Sequence, residues 1–546
     1  MRERPAGSRV RGPGARAARI AERTNPRRSP AVGPGLAGGA YAPLSDGDVA
    51  AIHATVLKVL ANVGLGAVTD EIRDIATAGG ARFNAHGRLC FPPALVEDVL
   101  AGAARELTYH ARDPSRSVRS GGRRVYFATS GEAVRVVDSA SGEYRPSTLL
   151  DLYDFFRLAD YLEHVDFCGQ QVVATDICED ARLHAINVAY AGATATTKPF
   201  SISLADPATV GDVEALWDRM LGAEGAFRRR PFAAIGVCPI VSPLRFGPDT
   251  SAVLCEAARR GLPISACTAP QAGATAPAAL AGALVQSTAE ALAIVVLVNL
   301  INPGAPVDFG PWTFVSDLRT GSFTGGGGEE AVLEAAAAQI ARFYRLPGLV
   351  AAGMTDAKRP DYQAGYEKGI TIALSALAGG NMICECAGMM GSLFGCSFES
   401  MVLDDDLIGA VQRALRGIEV DEQTLSYELI ERTVLGPGHY LGTAQTLSLM
   451  QTEYLYPRLG DRTSVAEWQS RGSPELLPAA RARVREILAS HYPQTIDPQI
   501  DRVIRATHDI RIGPDLMRPG NARWPAGRWR TAFAADDNGD AIRRGE

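Results

Sequence analysis

A dense polar segment follows an apolar, strand-like run at residues 349–352. The segment, residues 353–368, reads GMTDAKRPDYQAGYEK and holds two Asp, one Glu, one Gln, one Thr, two Tyr and three Lys or Arg residues. In an α/β barrel, catalytic side chains stand where strands end and loops begin. The segment therefore predicts functional roles for Asp356, Gln363 and Tyr366, although a helix N-cap with a solvated first turn would explain the same residues without a function.

A single acid interrupts a second apolar, strand-like run at residues 382–386. Side chains alternate between the two faces of a strand, so Glu385 is predicted to point away from Cys384 and Cys386. A buried carboxyl needs a partner or a raised pKa, so Glu385 is either a site acid or half of a structural ion pair. The Cys-x-Cys spacing has no second pair and no nearby His. No metal site is predicted.

Two glycine-rich loops are further candidates. The run at residues 325–328 precedes Glu329 and Glu330 but lacks the Lys and Ser/Thr of a phosphate loop, and the acids would repel phosphate. It is either a flexible loop before a helix whose N-terminus the acids stabilise, or a barrel-mouth loop that closes over substrate. His439, in the loop GPGHYLG, either folds over the mouth or is a surface histidine.

Aromatic residues follow a third candidate strand. Phe309, Trp312 and Phe314 are spaced to form one wall of a site. Aromatic faces attract quaternary ammonium groups, whereas plain packing is the alternative explanation.

Strand and helix patterns alternate from about residue 164 to residue 405. Seven helical segments separate eight candidate strands, at 164–172, 200–204, 233–237, 264–267, 307–310, 350–353, 382–386 and 401–403. This alternation predicts a (β/α)₈ barrel. A doubly wound open sheet is the main alternative, and it would need a glycine-rich phosphate turn after an early strand, which the sequence does not offer convincingly.

The predicted fold class is α/β: a TIM (β/α)₈ barrel with N-terminal helical and β-strand additions and a C-terminal helical extension. The predicted divisions are a disordered basic tail at 1–40, helices and short strands at 41–160, the barrel at 161–405, the helical extension at 406–513 and a disordered tail at 514–546.

Composition restricts the classes of partner. The 546 residues are 46% hydrophobic and 21% charged, and a net charge of −6 provides no basic field for nucleic acid. Nine scattered cysteines fit a reducing, cytoplasmic location better than a disulfide framework. The apolar run at 276–301 contains Gln286, Glu290 and Asn299, so it predicts a buried helix rather than a membrane span.

Seven segments occur in the order seen in one enzyme family. They cover the chain from about Gly38 to Ile512, and they resemble the trimethylamine methyltransferase family. The segments are GGAYAPLSDGDVAAIH (38–53), GATAPAALAGALVQSTAE (273–290), NPGAPVDFG (302–310), DLRTGSFTGGGGEE (317–330), the polar segment 353–368, ECAGMMGSLFGCSFES (385–400), and GPGHYLGTAQTL (436–447) with QTEYLYP (451–457).

The resemblance implies an activity and a partner. Family members transfer a methyl group from a methylated amine to the Co(I) of a corrinoid carried by a separate protein, so this chain itself is expected to bind no cofactor. Archaeal members carry pyrrolysine, whereas this chain has only standard residues. It therefore resembles the branch without pyrrolysine, which is similar to glycine betaine methyltransferases, and a quaternary amine is the expected substrate.

The same resemblance implies roles for the candidate residues. Asp356 and Glu385 are the expected catalytic acids that balance the cation. The expected substrate-binding residues are Phe309, Trp312, Arg319, Glu330, Lys358, Gln363, Tyr366 and His439, of which Arg319 or Lys358 would meet a substrate carboxylate if there is one.

Two other classes remain open on sequence alone. One is a metal- or phosphate-dependent barrel enzyme acting on a small polar metabolite, and the other is a non-catalytic betaine-binding protein. A cytoplasmic homo-oligomer without nucleic-acid or membrane partners is expected.

Overall fold

Eight parallel strands form a closed barrel at the centre of the computed structural model, which describes residues 31–138 and 141–525. The strands are β1 Arg124–Thr129, β2 Phe167–Cys168, β3 Phe200–Ser203, β4 Ala233–Val237, β5 Ile264–Thr268, β6 Gly310–Pro311, β7 Leu349–Ala351 and β8 Met382–Cys384. β8 pairs with β1 at Met382 and Tyr126, and Phe309 pairs with Gly348 between β6 and β7, so the ring has no open edge. The predicted TIM-barrel fold class is confirmed.

One helix follows each strand and covers the outside of the barrel. These helices are α1 Leu149–Tyr161, α2 Ala181–Ala195, α3 Ala208–Leu221, α4 Pro248–Arg260, α5 Leu280–Ile301, α6 Gly328–Tyr344, α7 Tyr362–Ala378 and α8 Phe398–Arg416. The β–α order repeats eight times, as right-handed crossover connections between parallel strands require.

The first and last barrel strands differ from the prediction. β1 comes before residue 161, in the region predicted to be an N-terminal addition, because its pairing partner is the last strand rather than a local neighbour. Residues 401–403, predicted to be a strand, lie inside α8. Ser397 caps that helix by accepting a hydrogen bond from the Ser400 amide. This cap stabilises a helix start, so the short apolar run that follows is helical rather than extended.

The N-terminal helices bury the most apolar helix of the barrel. Asp46–Lys58, Asp70–Ala78 and Pro93–Gly102 all pack against α5. A helix that is apolar all round has to be covered on every side, and these three helices provide the outer cover. Among the helices described, α5 alone is long and apolar enough to cross a membrane, and 78% of its most apolar window is buried in this fold.

Short strands complete both ends of the barrel. The hairpin of Leu107–Tyr109 and Val118–Ser120 lies across its amino-terminal end, where His110 N–H donates to Pro231 O. Short strands that follow the barrel strands form a rim at the carboxyl end: Arg135–Asp138, Glu143–Pro146, Ile240–Val241, Arg245–Phe246, Gln271–Ala272, Phe314–Asp317, Ser322–Thr324, Met389–Met390 and Gly395–Cys396. A separate pair, Arg82–Phe83 and Leu89–Cys90, joins the N-terminal helices.

Both predicted tails include ordered residues. Leu36–Ala37 pairs antiparallel with the first two residues of β1, Arg124 and Val125. At the other end, Arg523 forms ion pairs of 2.6 Å with Asp151 and with Asp154 on α1. The remainder of the predicted tails, residues 1–30 and 526–546, lies outside the described residues.

The C-terminal region is helical, as expected from its periodicity. Its helices are Glu422–Leu425, Tyr427–Val434, Ala444–Leu449, Val465–Ser470, Leu476–Ser490 and Pro498–Thr507, followed by a 3₁₀ turn at Pro514–Met517. The helix Leu476–Ser490 packs on α8 and α1.

Candidate active site

A cavity of about 460 Å³ occupies the interior of the barrel and reaches its carboxyl end. Tyr109 and Asp308 lie at its floor, where the tyrosine hydroxyl donates to Asp308 Oδ2. Its walls come from the strand ends, including Ser203 at the end of β3, Cys238 after β4 and Trp312 after β6. This is the end at which barrel enzymes carry their chemistry.

Three carboxyl groups line the cavity, and none of them meets a cation there. They belong to Glu132 after β1, Asp308 before β6 and Glu385 after β8. Among the described residues that line the cavity, none is lysine or arginine. Glu385 Oε2 and Asp308 Oδ1 are buried and have no hydrogen-bond partner in the described chain. Buried, unpaired carboxyls are costly unless a ligand satisfies them.

Burial raises the pKa of each of these acids. Burial, together with a smaller contribution from the nearby Glu132, raises the pKa of Glu385 to about 8. Burial likewise raises the pKa of Asp308 to about 7, against a smaller opposing effect of the Tyr109 hydrogen bond. Burial also raises the pKa of Glu132, although the Ser203 hydroxyl donates to it. Glu385 and Asp308 therefore change charge near neutral pH.

Two further acids on α6 lie behind Glu385. The Glu334 carboxylate accepts from Thr313 N at 2.7 Å and Ala351 N at 2.8 Å, and burial raises its pKa to about 8. Both carboxyl oxygens of Glu330 lack a partner among the described residues. Burial, together with Glu334, Glu385 and Asp356, holds the pKa of Glu330 well above its usual value. The whole cluster favours a cation.

The backbone turns sharply at Glu385. Its φ of 67° lies in the left-handed region, which ends the regular alternation of β8. Cys384 and Glu385 therefore both line the cavity, contrary to the expected opposite faces. β7 approaches this turn so closely that a Cβ on Gly353 would lie 2.6 Å from Cys386 Cα.

A buried ion pair supports the same turn. Lys368 Nζ lies 2.7 Å from Asp404 Oδ2, and the side chains are 1% and 5% exposed. The same oxygen accepts from Gly388 N at 2.8 Å, so α7 and α8 together fix the chain just beyond Glu385.

Aromatic side chains form part of the cavity wall. Trp312 and Phe314 lie with ring centroids 6.2 Å apart, and Tyr109 meets Phe167 edge to face at 5.2 Å. Trp312 Nε1 is a buried donor without a partner in the described residues. Phe309 instead packs on Tyr344 at 5.8 Å and does not line the cavity.

The polar segment 353–368 is organised around a buried carboxylate, Glu367. Glu367 accepts hydrogen bonds from four groups: Thr355 Oγ1 at 2.5 Å, Asp356 N at 2.8 Å, Gln363 Nε2 at 2.9 Å and Tyr366 OH at 3.4 Å. Asp356 Oδ1 in turn accepts from Gly325 N at 2.8 Å and from Ser392 Oγ at 2.6 Å. The segment thus fastens the glycine-rich loop and the rim to α7.

Three other predicted site residues lie on the outer surface. The Arg319 side chain is 89% exposed and pairs with Asp317 at 2.7 Å. Lys358 is exposed and donates to Asp356 O at 2.5 Å, and His439 is exposed in the C-terminal region. Of the predicted set, the structure brings Glu385 and Trp312 together at the cavity, with Glu330 directly behind them.

Sequence comparison settles which family this site belongs to. The profile of the family described as trimethylamine methyltransferase (MTTB) matches residues 10–511. The chain belongs to the trimethylamine methyltransferase family. Its enzyme class is therefore that of a methyltransferase, as the shared segments led us to expect.

Named relatives of this methyltransferase family align along most of their length. Trimethylamine methyltransferase MttB of Desulfitobacterium hafniense is 31% identical over 86% of this chain and 93% of its own. The Methanosarcina thermophila MttB is 32% identical over 84% and 95%. A glycine betaine methyltransferase of D. hafniense is 29% identical over 85% and 96%. Among solved structures, a Xanthomonas albilineans dihydropteroate synthase aligns with 57% of this chain and 99% of its own at 14% identity, with a TM-score of 0.33.

Several acids and hydroxyls of this methyltransferase were missed by sequence reasoning. Glu132 follows Ser130 and Gly131 directly after β1, a strand-end position that would have marked it had β1 been assigned to the barrel. Asp308 lies within the family segment NPGAPVDFG, where the apolar run at residues 307–310 predicts a strand rather than a site residue. Tyr109 reaches the floor from a hairpin far away in sequence, and no local signal predicts that contact.

A second cavity, of about 560 Å³, lies at the amino-terminal end of the barrel. Its buried charges are already engaged: Lys198 Nζ donates to the carbonyls of Ala159 and Leu162 at 2.7 and 2.6 Å, and His491 lies 2.7 Å from Asp160. That end of a barrel serves stability rather than chemistry, so the acidic cavity is the candidate site of methyl transfer. No group of three or more His, Cys, Asp or Glu within the described residues is arranged to hold a metal ion.

Proposed function

We propose that this methyltransferase takes a methyl group from a methylated amine, a quaternary one, and delivers it to the Co(I) of a corrinoid carried by a partner protein. The observation that carries the donor assignment is the charge of the cavity. Glu132, Asp308 and Glu385 line it together with aromatic rings, and no lysine or arginine is among its described lining residues. A cation that carries methyl groups can pair with the carboxyl groups and pack against the aromatic rings.

The chemistry of a quaternary amine suits such a site. A methyl group on R₃N⁺–CH₃ leaves behind a neutral tertiary amine when a nucleophile takes it, so no proton has to be supplied. The corrinoid Co(I), when present, supplies that nucleophile. The chain then has to bind the cation, orient one methyl group toward the open end of the barrel and exclude water.

Glu385 is the acid we assign to the cation most directly. A bound cation stabilises the ionised carboxylate, so binding lowers a pKa that burial has raised to about 8. The cavity is then close to neutral both when empty, with protonated acids, and when occupied, with an ion pair. We assign Trp312 and Phe314 to the methyl groups on the other side.

Trimethylamine is the second candidate donor. Two relatives that are 31% and 32% identical to this chain are named as trimethylamine methyltransferases. Trimethylammonium also carries a positive charge, but a methyl group lost from the free amine would leave an amide anion unless a proton were supplied.

The test is a methyl-transfer assay with purified protein and free cob(I)alamin, followed by corrinoid absorbance. Glycine betaine, carnitine, choline, proline betaine and trimethylamine are compared at one concentration. Transfer from a quaternary amine, with none from trimethylamine, is the expected result. Absence of transfer from every amine, with folded protein and verified cob(I)alamin, would contradict the proposal.

A further inference from the structure

We infer that the methyl donor of this enzyme carries no carboxylate: its quaternary ammonium group bears neutral or alkyl substituents only. This inference deepens the proposed function and rests on it. The carboxyl groups that favour binding of a cation would also repel the carboxylate of a zwitterionic donor.

The acids are spread over one half of the barrel wall. Glu385 and Glu132 follow the adjacent strands β8 and β1, and Asp308 lies just before β6, on the floor. Once a cation has ionised one of these acids, a substrate carboxylate held in the same low-dielectric space would face a like charge.

The other half of the wall offers no positive charge to a carboxylate. It presents neutral groups such as Ser201, Ser265 and Cys267, and the Ser203 hydroxyl already donates to Glu132. His184 is the one basic side chain in the described lining, and burial lowers its pKa, which favours the neutral ring.

The two cations expected to meet a substrate carboxylate are both engaged on the outer surface. Arg319 is bound to Asp317, and Lys358 donates to the Asp356 carbonyl. Neither lines the cavity. Recognition of a carboxylate in a buried site ordinarily uses such a residue, above all arginine.

Trp312, which lines the cavity, carries a neutral donor without a partner among the described residues. Trp312 Nε1 is buried and makes no hydrogen bond within the described chain. A hydroxyl oxygen on the donor would satisfy this N–H without adding charge. A quaternary ammonium alcohol therefore provides a cation for the acids and a hydroxyl oxygen for Trp312 Nε1. Choline is the probe of that class.

The first experiment measures binding to the full chain by calorimetry at pH 8, without corrinoid. Choline and tetramethylammonium are each expected to bind at least about tenfold more tightly than glycine betaine, a factor that corresponds to about 1.4 kcal/mol. Glycine betaine binding as tightly as choline, or more tightly, would overturn the inference.

Variants test which carboxyl groups cause the preference for choline over glycine betaine. In Glu132→Gln and Asp308→Asn, the choline-to-betaine affinity ratio is expected to shrink several-fold, because one opposing carboxyl is removed. Glu329→Gln removes an exposed acid at the start of α6, outside the cavity, and should leave the ratio unchanged. An unchanged ratio in both cavity variants would count against the inference.

The same ligands in the cob(I)alamin assay separate this inference from the proposed function. Methyl transfer from glycine betaine but not from choline would leave the methyltransferase proposal intact and remove the inference. Tight choline binding without transfer from any amine would support the cavity's preference while contradicting the proposed reaction.

Discussion

We assign Glu385 as the counter-charge of the bound cation because it is buried, has one carboxyl oxygen without a partner among the described residues and lies near Glu132. We expect Glu385→Gln to fold normally, since glutamine resembles the protonated acid that burial favours. Choline affinity and the methyl-transfer rate should each fall by about tenfold or more, as one desolvated charge–cation contact is lost. Calorimetry and the cob(I)alamin assay measure the two effects. A variant with wild-type affinity for cations would exclude Glu385 as the counter-charge.

The raised pKa of Glu385 also makes stability depend on pH. Its folded pKa of about 8 lies above the usual value of 4.5, so the folded state keeps a proton that the unfolded state has lost. Its contribution to stability is therefore present below about pH 4.5 and disappears as the pH rises through 8. Asp308, with a pKa of about 7, acts in the same direction.

We predict that the melting temperature of the empty enzyme falls between pH 6 and pH 9. The decline should be shallower in Glu385→Gln, which cannot titrate at this position. Choline should counteract the decline, because its affinity rises as the acids ionise. Thermal unfolding followed by circular dichroism across this pH range is the measurement, and equal slopes in wild type and variant would disprove the assignment.

At the scale of elements, the turn after β8 depends on its neighbour β7. We predict that Gly353→Ala destabilises the protein by about 1–3 kcal/mol, because alanine would have to adopt a φ of 101° and place its Cβ 2.6 Å from Cys386 Cα. Chemical denaturation gives the free energy of unfolding.

Gly369→Ala is the matched control, since it lies within α7 and has nothing within 4 Å of the added Cβ. It should be neutral or stabilise by about 0.5–1 kcal/mol. Equal losses in the two variants would show that the close approach of β7 to β8 is not what matters.

The elements also show what the sequence could and could not predict. Seven of the eight strands were found, because each is a short apolar run between helical patterns. The sequence patterns place β1 outside the barrel, because its partner strand, Met382–Cys384, lies more than 250 residues later. No local pattern indicates such a pairing. Glu132 could not be predicted as a site residue for the same reason, since it follows β1. Glu385 could be predicted, because a single acid within an apolar run is a local signal.

The polar segment 353–368 illustrates a different limit. Its composition correctly marked a strand end at the mouth of the barrel, but composition cannot tell whether Asp356 and Gln363 face a ligand or a neighbouring loop. In the structure the Gln363 side chain donates to the buried Glu367, and the Asp356 carboxylate accepts from Gly325 N and Ser392 Oγ of the neighbouring loops. The catalytic role predicted for Asp356 and the substrate-binding roles predicted for Arg319, Lys358 and His439 stay predictions, as do the oligomeric state and the cellular location.

At the scale of the whole molecule, the C-terminal segment is fastened to the barrel by charge. We predict that Arg523→Ala lowers the free energy of unfolding by about 1–3 kcal/mol, because it removes ion pairs to Asp151 and Asp154, whose side chains are 0% and 3% exposed. Arg518→Ala, which breaks an exposed pair with Asp515, should change it by less than about 1 kcal/mol. Denaturant titrations compare the two, and equal effects would contradict the role given to Arg523.

The closure of the barrel has a consequence for the order in which this protein becomes an enzyme. Glu132 follows the first strand and Glu385 the last, and the two come together only where β8 pairs with β1. A chain still emerging from the ribosome can build helices and most of the sheet, yet the cavity that we assign to the cation lacks Glu385 until that residue has been made and the ring has closed. Contacts so distant in sequence form late and slowly. We therefore expect substrate binding to appear only after β8 has paired with β1, so that ligand binding would report the completion of this folding step.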